Sequence, residues 1–166
     1  MEKKRFIIAV YVENKAGVLT RVTGMFTRRG FNIDTLTVGE TERSEYSRIT
    51  ICMSGDQYAK EQLVNQLNKL LVVKKVEVLE NEPIQRELML IKVKNQAEQR
   101  SDIMTAVDVF RASVIDYSTE GMCIEVTGSP SKIDAFVKLM QPFGILEMCR
   151  TGIVALDRGV ATLFNK

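Results

Sequence analysis

One order of elements, strand–helix–strand–strand–helix–strand, is predicted twice along this chain of 166 residues. In each half, apolar runs predict four strands, and apolar residues at helical spacing predict two helices between them. The two halves are separated by the polar segment Glu80-Asn81-Glu82-Pro83. This order is the split βαβ arrangement, in which both helices cover one face of an antiparallel sheet. The sequence therefore predicts an α+β chain of two consecutive ferredoxin-like βαββαβ units.

The predicted boundaries follow from these runs. The predicted strands are Phe6–Val12, Asn32–Val38, Tyr46–Ser54, Val72–Leu79, Leu88–Val93, Ser113–Tyr117, Met122–Thr127 and Ile145–Cys149. The helices are predicted from the apolar stripes Val18, Leu19, Val22, Met25, Phe26; Leu63, Leu67, Leu70, Leu71; Ile103, Ala106, Val107, Phe110; and Ile133, Phe136, Val137, Met140. Gly30 is predicted to end the first helix in a left-handed conformation, and Ser129-Pro130 to begin the last. The predicted domains are 1–80 and 84–166, the second with a short tail from Thr151.

The first strand, Phe6–Val12, is apolar at every position, so both of its faces need cover. Two helices cover one face of such a sheet, which leaves the other apolar. We therefore expect self-association or packing against another chain. The alternative is that the second half of the chain covers the first.

The composition argues against catalysis, metal binding and nucleic-acid binding. There is no histidine, the commonest general base and metal ligand, and no nucleotide-binding or hydrolase motif is present, so no catalytic or metal site is predicted. A net charge of +2 is small for a nucleic-acid binder. The predicted third strand of the first half, over Arg48–Met53, and its counterpart Met122–Thr127 lack the aromatic residues that stack RNA bases, and Tyr11 alone is not a stacking platform. The three cysteines are widely spaced, which favours small buried side chains in a reducing compartment over disulfides.

The same run, Phe6–Val12, is better interpreted as a strand than as a signal peptide, because Glu13 and Asn14 come directly after it without a cleavage pattern. No segment is long enough to be a membrane span. We expect a cytoplasmic protein.

The segment from Glu13 to Leu19, which joins the first strand to the first helix, is the candidate binding site. Backbone N–H groups at a helix start attract anions, and Gly17 leaves room for a ligand carboxylate. The Asn14 amide can donate and accept, and Asn32 begins the neighbouring predicted strand. Together they could recognise the zwitterionic head of a free amino acid. The alternative is purely structural, with Asn14 as helix cap and Gly17 as a tight-turn residue.

Several segments together resemble one family. The stretches ENKAGVLTRVTGMFTRRGFNIDTLTVGETE and SRITI are similar to the ACT domain of the small regulatory subunits of acetohydroxyacid synthase, also called acetolactate synthase. The later stretches QRELMLIKV, VFRASVIDYS, EVTGSPSKIDAFVKLM and RTGIVAL resemble the second half of the same subunits. The resemblance covers almost the whole chain.

The resemblance implies a non-catalytic subunit that activates a large catalytic subunit and mediates feedback inhibition, most often by valine, in the biosynthesis of valine, leucine and isoleucine. No cofactor is expected in this chain; thiamine diphosphate, magnesium and FAD belong to the large subunit. The effector would lie between the ACT domains of a homodimer, on the motif positions Asn14, Gly17, Val18 and Asn32, with Ala16 and Ile33 as further lining. The alternative is a free-standing amino-acid sensor that controls a different protein.

Overall fold

The computed structural model describes residues 4–165, which divide into two compact units. Unit 1 contains the residues up to Ile84 together with those from Ile153 onward, and unit 2 is Gln85–Gly152. Residues 1–3 and 166, which the predicted domain ranges include, lie outside the described residues.

The elements follow the predicted order. In the first half they are β1 (Lys4–Glu13), α1 (Val18–Arg28), β2 (Thr35–Glu40), β3 (Tyr46–Gly55), α2 (Gln57–Asn68) and β4 (Val73–Val78). In the second half they are β5 (Ile84–Lys94), α3 (Arg100–Val109), β6 (Ser113–Tyr117), β7 (Gly121–Gly128), α4 (Pro130–Met140), a 3-10 turn (Gln141–Phe143) and β8 (Ile145–Arg150). A short strand that was not predicted, β9 (Val154–Leu156), comes after them.

Both halves have the same antiparallel topology. The strand order is β2-β3-β1-β4 in unit 1 and β6-β7-β5-β8 in unit 2. Each pair of neighbours in these orders is antiparallel. The predicted α+β fold of two ferredoxin-like units is confirmed.

Alternation along β1 divides the core of unit 1 between the two faces of its sheet. Ile8, Val10 and Val12 lie on the face that α1 and α2 cover, where they pack with buried helix residues such as Val22 and Leu67. The other face carries Ile7, Ala9 and Tyr11, each no more than 6% exposed. Both faces of this strand are therefore buried, as its continuous apolar run predicts.

The segment 153–165, hereafter the tail, covers that second face. Ile153, Ala155 and Leu163 of the tail are buried in one cluster with the β1 residues Ile7, Ala9 and Tyr11 and with Cys52 and Leu79. The sequence pattern places the tail with the second half, but it packs on the first because the apolar face of β1 needs cover there. This chain supplies that cover itself, so the apolar face alone does not require a second chain, and the expectation of self-association loses that support.

Unit 2 has a single core between its sheet and its helices. Met89, Ile91 and Val93 of β5 are fully buried against residues of α3 and α4 such as Ile103 and Phe136. On both of its edge strands large apolar side chains are exposed, among them Ile115, Tyr117, Leu146 and Met148.

The predicted helix ends are partly confirmed. Gly30 has φ 67°, and the bonds from Gly30 N to Thr27 O and from Phe31 N to Phe26 O close the end of α1. Ser129 caps α4 by accepting from Lys132 N, and Pro130 is the first helical residue. The predicted helical stripe is wrong at Leu70 and Leu71, because α2 ends at Asn68. Leu70 still packs against the core, whereas Leu71 is 91% exposed.

Candidate functional site

The start of α1 is open and is shaped by Gly17. This residue precedes the helix with φ 81° and ψ −5°, the left-handed conformation that favours glycine. No atom lies within 4 Å of the position that a Cβ would take. Within residues 4–165 no side chain caps the helix start. The Val18 N–H donates to Lys15 O at 3.3 Å, which leaves the N–H groups of Leu19 and Thr20 without a helical partner at the open start of α1.

Asn14 does not cap the helix, so that part of the structural alternative is wrong, whereas Gly17 does occupy a tight turn. Its Nδ2 donates to Glu40 Oε1 at 3.0 Å and to the Ser44 backbone carbonyl at 2.9 Å. Its backbone N donates to Glu45 O at 2.8 Å. Glu40, Ser44 and Glu45 belong to the segment 40–45, hereafter the β2–β3 turn. Both amide protons of Asn14 are thus engaged, and no donor from residues 4–165 occupies its Oδ1, which leaves that oxygen as an acceptor.

A small ion-pair network lies next to the site. Glu13 accepts from Lys74 at 2.6 Å and from Lys15 at 3.0 Å. Hydrogen bonds from Lys74 and then Lys15 hold the pKa of the Glu13 carboxyl below its ordinary value of 4.5. These ion pairs favour the ionised form of Glu13 at the end of β1. The first turn of α1 has no acidic residue, so no carboxylate from that turn lies at the helix start.

Asn32 and Ile33 are not brought to this site within one chain. They lie beyond the opposite end of α1 and before β2, in a segment without regular structure, so the predicted strand start at Asn32 is also wrong. A helix of 11 residues is about 16 Å long, which separates them from Gly17. Val18 is 5% exposed and belongs to the core, whereas Ala16 is exposed beside Gly17.

The turn residues Glu40 and Ser44 are the part of the site that the sequence pattern does not indicate. They contact Asn14 because β1 and β2 are both antiparallel to β3 and therefore end at the same edge of the sheet. The predicted topology already implies that juxtaposition. The topology therefore indicates that these two segments meet, although it does not indicate which side chains form hydrogen bonds.

Unit 2 contains a counterpart of Asn14 that the sequence pattern does not indicate either. Asn95 comes directly after β5 as Asn14 comes directly after β1, its backbone N donates to Glu120 O at 3.0 Å, and its Nδ2 donates to Ser118 O at 2.5 Å. Its Oδ1, however, accepts from Arg100 Nε at 2.8 Å, and the residue is 4% exposed. We call this arrangement, an asparagine after the first strand whose backbone and side-chain N–H groups are bound by the hairpin turn, an asparagine clamp. In unit 1 the clamp is open, because the Asn14 Oδ1 is left as an acceptor. In unit 2 it is closed, because the guanidinium of Arg100 occupies the Asn95 Oδ1.

The remaining chemistry of the described residues is sparse. Residues 4–165 contain no group of three or more His, Cys, Asp or Glu side chains placed to hold a metal ion. Cys52 and Cys123 are buried as predicted, whereas Cys149 is exposed on the edge strand β8, where burial was predicted. Among the described residues, no helix combines the length and the apolar character that crossing a bilayer requires.

Both halves of the chain match known family models. Residues 8–75 match the family model described as the AHAS small subunit-like ACT domain, and residues 86–159 match that of the small subunit of acetolactate synthase. A probable acetolactate synthase small subunit from Archaeoglobus fulgidus is 50% identical over 92% of this chain and 96% of its own. The acetolactate synthase small subunit of Mycolicibacterium smegmatis is 48% identical over 92% and 90%.

Among solved structures, the acetolactate synthase small subunit of Thermotoga maritima is similar throughout. It has a TM-score of 0.89 and 40% sequence identity, over 95% of this chain and 99% of that one. With identities of this size across nearly the whole length of both chains, the chain belongs to the family of acetolactate synthase small subunits, which are regulatory subunits with an ACT domain.

Proposed function

We propose that this chain activates the large catalytic subunit of acetolactate synthase and makes it sensitive to a branched-chain amino acid, with valine as the leading candidate. The observation that carries the proposal is the open start of α1, with Gly17 in a left-handed conformation beside the acceptor oxygen of Asn14. These two features complement the two charged ends of a free amino acid.

The helix start is suited to the carboxylate of the effector. Unpaired N–H groups and the helix dipole favour negative charge at this end of α1. Gly17 has no side chain in the way, and the space around its missing Cβ is empty. Among the described residues no acidic side chain of the first helical turn competes for the amides.

The ammonium group would bind Asn14 Oδ1, and the closed clamp of unit 2 supports that assignment. There the corresponding oxygen, Asn95 Oδ1, accepts from the charged guanidinium of Arg100. Since both amide protons of Asn14 are held by the β2–β3 turn, its oxygen is the atom left for a ligand. A hydrogen bond with a charged donor contributes about 1.5–3 kcal/mol.

A second copy of the chain would complete the site. β2 is the edge strand of unit 1, and large apolar side chains are exposed on both α1 (Leu19) and β2 (Val38). If two copies pair β2 with β2 in antiparallel fashion, the segment before β2 in one copy meets the sheet edge where β1 ends in the other. The second copy's Asn32 and Ile33 would then approach Gly17 and Asn14 of the first, which one chain alone does not allow.

The proposed role is non-catalytic, in the cytoplasm. By the family resemblance, thiamine diphosphate, magnesium and FAD would be bound by the large subunit, and this chain has no histidine to supply a general base. Its contribution is binding: holding the effector at α1 and transmitting its presence to the partner.

The test is reconstitution with the large subunit. Acetolactate formation from pyruvate is measured for each subunit alone and for the mixture, with and without valine. Valine has about eight non-hydrogen atoms, and at half the best efficiency per atom its affinity corresponds to about 6 kcal/mol, a Kd of tens of micromolar. We expect no activity from this chain alone, higher activity in the mixture and inhibition by valine in that range. Failure of this chain to bind or activate the large subunit would favour the free-standing sensor.

A further inference from the structure

We infer that the tail positions Asn14 through the β2–β3 turn, with Phe164 as a positioning residue for effector binding. The part of the inference that concerns the effector rests on the function proposed above. The part that concerns the order of the turn stands on the contacts alone and is tested separately.

The turn is the element that holds Asn14. All three hydrogen bonds of this residue, from its backbone N and from Nδ2, end on residues 40–45. Asn14 itself is exposed, and no packing against the core fixes it. The orientation of its Oδ1 therefore depends on where the turn lies.

The turn is fixed in its place by two tyrosines. Thr41 N donates to Tyr46 O at 3.1 Å, and the Thr41 hydroxyl lies 3.5 Å from the hydroxyl of Tyr11. The rings of Tyr11 and Tyr46 are stacked with centroids 4.9 Å apart. These rings lie on the face of the sheet opposite the helices, the face that the tail covers.

The tail completes this aromatic cluster. The Phe164 ring meets the Tyr11 ring edge to face, with centroids 5.0 Å apart. The neighbouring Leu163 is 5% exposed within the second core of unit 1, and Arg48 Nη2 donates to Ala155 O at 2.7 Å. Leu163 thus anchors this part of the tail on the sheet, and from there Phe164, itself 63% exposed, contacts the Tyr11 ring.

A cavity lies between the β2–β3 turn and the tail. Glu40, Thr41 and Glu42 of the turn border a cavity of about 460 Å³, and Leu163 and Phe164 of the tail border the same cavity. Since this cavity between the turn and the tail is open, loss of the Phe164 ring leaves the Tyr11 ring free to shift into the cavity. The turn would then gain freedom and carry Asn14 with it.

The experiment compares Phe164→Ala with two controls in the full chain. Val160→Ala changes a tail side chain that is 91% exposed, and Ile153→Val removes one methyl group from the same buried cluster, far along the tail from the aromatic contact. Phe164→Tyr keeps the ring and serves as the rescue variant. Two quantities are measured without the large subunit: amide hydrogen exchange at Asn14, whose N–H is bonded to Glu45 O, and the Kd for L-valine by calorimetry.

We expect Phe164→Ala to raise the valine Kd about threefold to tenfold, the range set by the loss of one aromatic pair. Exchange at the Asn14 amide should accelerate in the same variant, while Phe164→Tyr and both controls remain like the wild type. Loss of unit 1 stability alone would affect Ile153→Val as well, so a parallel change in that control would overturn the inference. Unchanged amide exchange in Phe164→Ala would also overturn it. If the wild type binds no valine, the proposed effector is wrong, and the exchange measurement still decides whether the tail positions the turn.

Discussion

Asn14 and Asn95 occupy corresponding places in the two units, directly after the first strand of each. Both donate a backbone N–H to a glutamate carbonyl and a side-chain N–H to a serine carbonyl of the hairpin turn in their own unit. Their surroundings differ. Asn14 is exposed and lies three residues before a left-handed glycine, whereas Asn95 is buried and its oxygen accepts from Arg100.

Under the proposed function, this difference explains how one fold gives both a binding unit and a structural unit. The clamp on the asparagine belongs to the topology, because the end of the first strand and the hairpin meet at one edge of the sheet in both units. Whether the clamp is available to a ligand depends on one nearby cation and on the backbone at the helix start. In unit 2, Arg100 also lies over the Tyr117 ring at 5.7 Å, which fixes the guanidinium in place.

The largest expected effect concerns the second difference between the units, the covered face of the unit 1 sheet. A chain that ends at Gly152 lacks the buried side chains Ile153 and Leu163. Burial of each contributes about 2 kcal/mol, so the free energy of unfolding of unit 1 should fall by about 4 kcal/mol. The truncation should also uncover Cys52, which is fully buried against the tail. Thiol titration of the native protein should count one reactive cysteine, Cys149, in the full chain and two in the truncated one. A count of one in both would mean that the tail does not shield this face.

A smaller effect sharpens the comparison of the two asparagines. Asn95→Ala removes a buried side chain together with its bonds to Ser118 O and Arg100 Nε and should lower the free energy of unfolding of unit 2 by about 1–3 kcal/mol. Asn14→Ala should cost unit 1 less than about 1 kcal/mol, because the residue and its partners are exposed to water. Valine binding should show the reverse order, lost in Asn14→Ala and kept in Asn95→Ala. Equal effects on binding, measured by calorimetry, would contradict the distinction between an open and a closed clamp.

The smallest effect is the pH dependence of the ion pairs beside the open clamp. The pKa of Glu13 is lower in the folded chain than its ordinary value of 4.5, so its contribution to stability is present above that value. It is lost as the pH falls below 4.5 through the folded-state pKa. Urea unfolding of the wild type and Glu13→Gln should therefore differ slightly at neutral pH and converge in acid and in high salt. A difference that grows on acidification would contradict this assignment.

The fold could be predicted largely from the sequence because apolar periodicity alone separates its strands from its helices. The end of α1 at Gly30 and the start of α4 at Ser129-Pro130 were also predictable, since each depends on local chemistry. The cover of the second face of unit 1 was not. The apolar run Phe6–Val12 shows that cover is needed, but pairing it with Ile153 and Leu163 depends on contacts between residues at opposite ends of the chain.

The candidate site could be predicted from the sequence where its residues follow from local order along the chain, and not where they depend on side-chain contacts across a turn. The sequence indicates Asn14 and Gly17 because they lie between a strand and a helix. The left-handed conformation of residue 17 explains why a glycine stands at this position. The sequence does not indicate that Glu40 and Ser44 hold the Asn14 amide, because side-chain bonds across a turn have no periodic signature. Asn32 lies at the far end of α1, so in the proposed dimer it would contribute to the site of the second copy of the chain.

The central claim, that the effector carboxylate binds at the start of α1, is tested most directly by comparing Gly17→Asp with Gly17→Asn. Both residues share a shape and tolerate a positive φ better than other side chains do, so each carries a similar strain of about 1 kcal/mol, and they differ only in charge. Valine inhibition of the reconstituted enzyme should be weakened by one to two orders of magnitude more in the aspartate variant, with activation intact in both. Equal inhibition curves for the two variants would contradict the claim and place the carboxylate elsewhere.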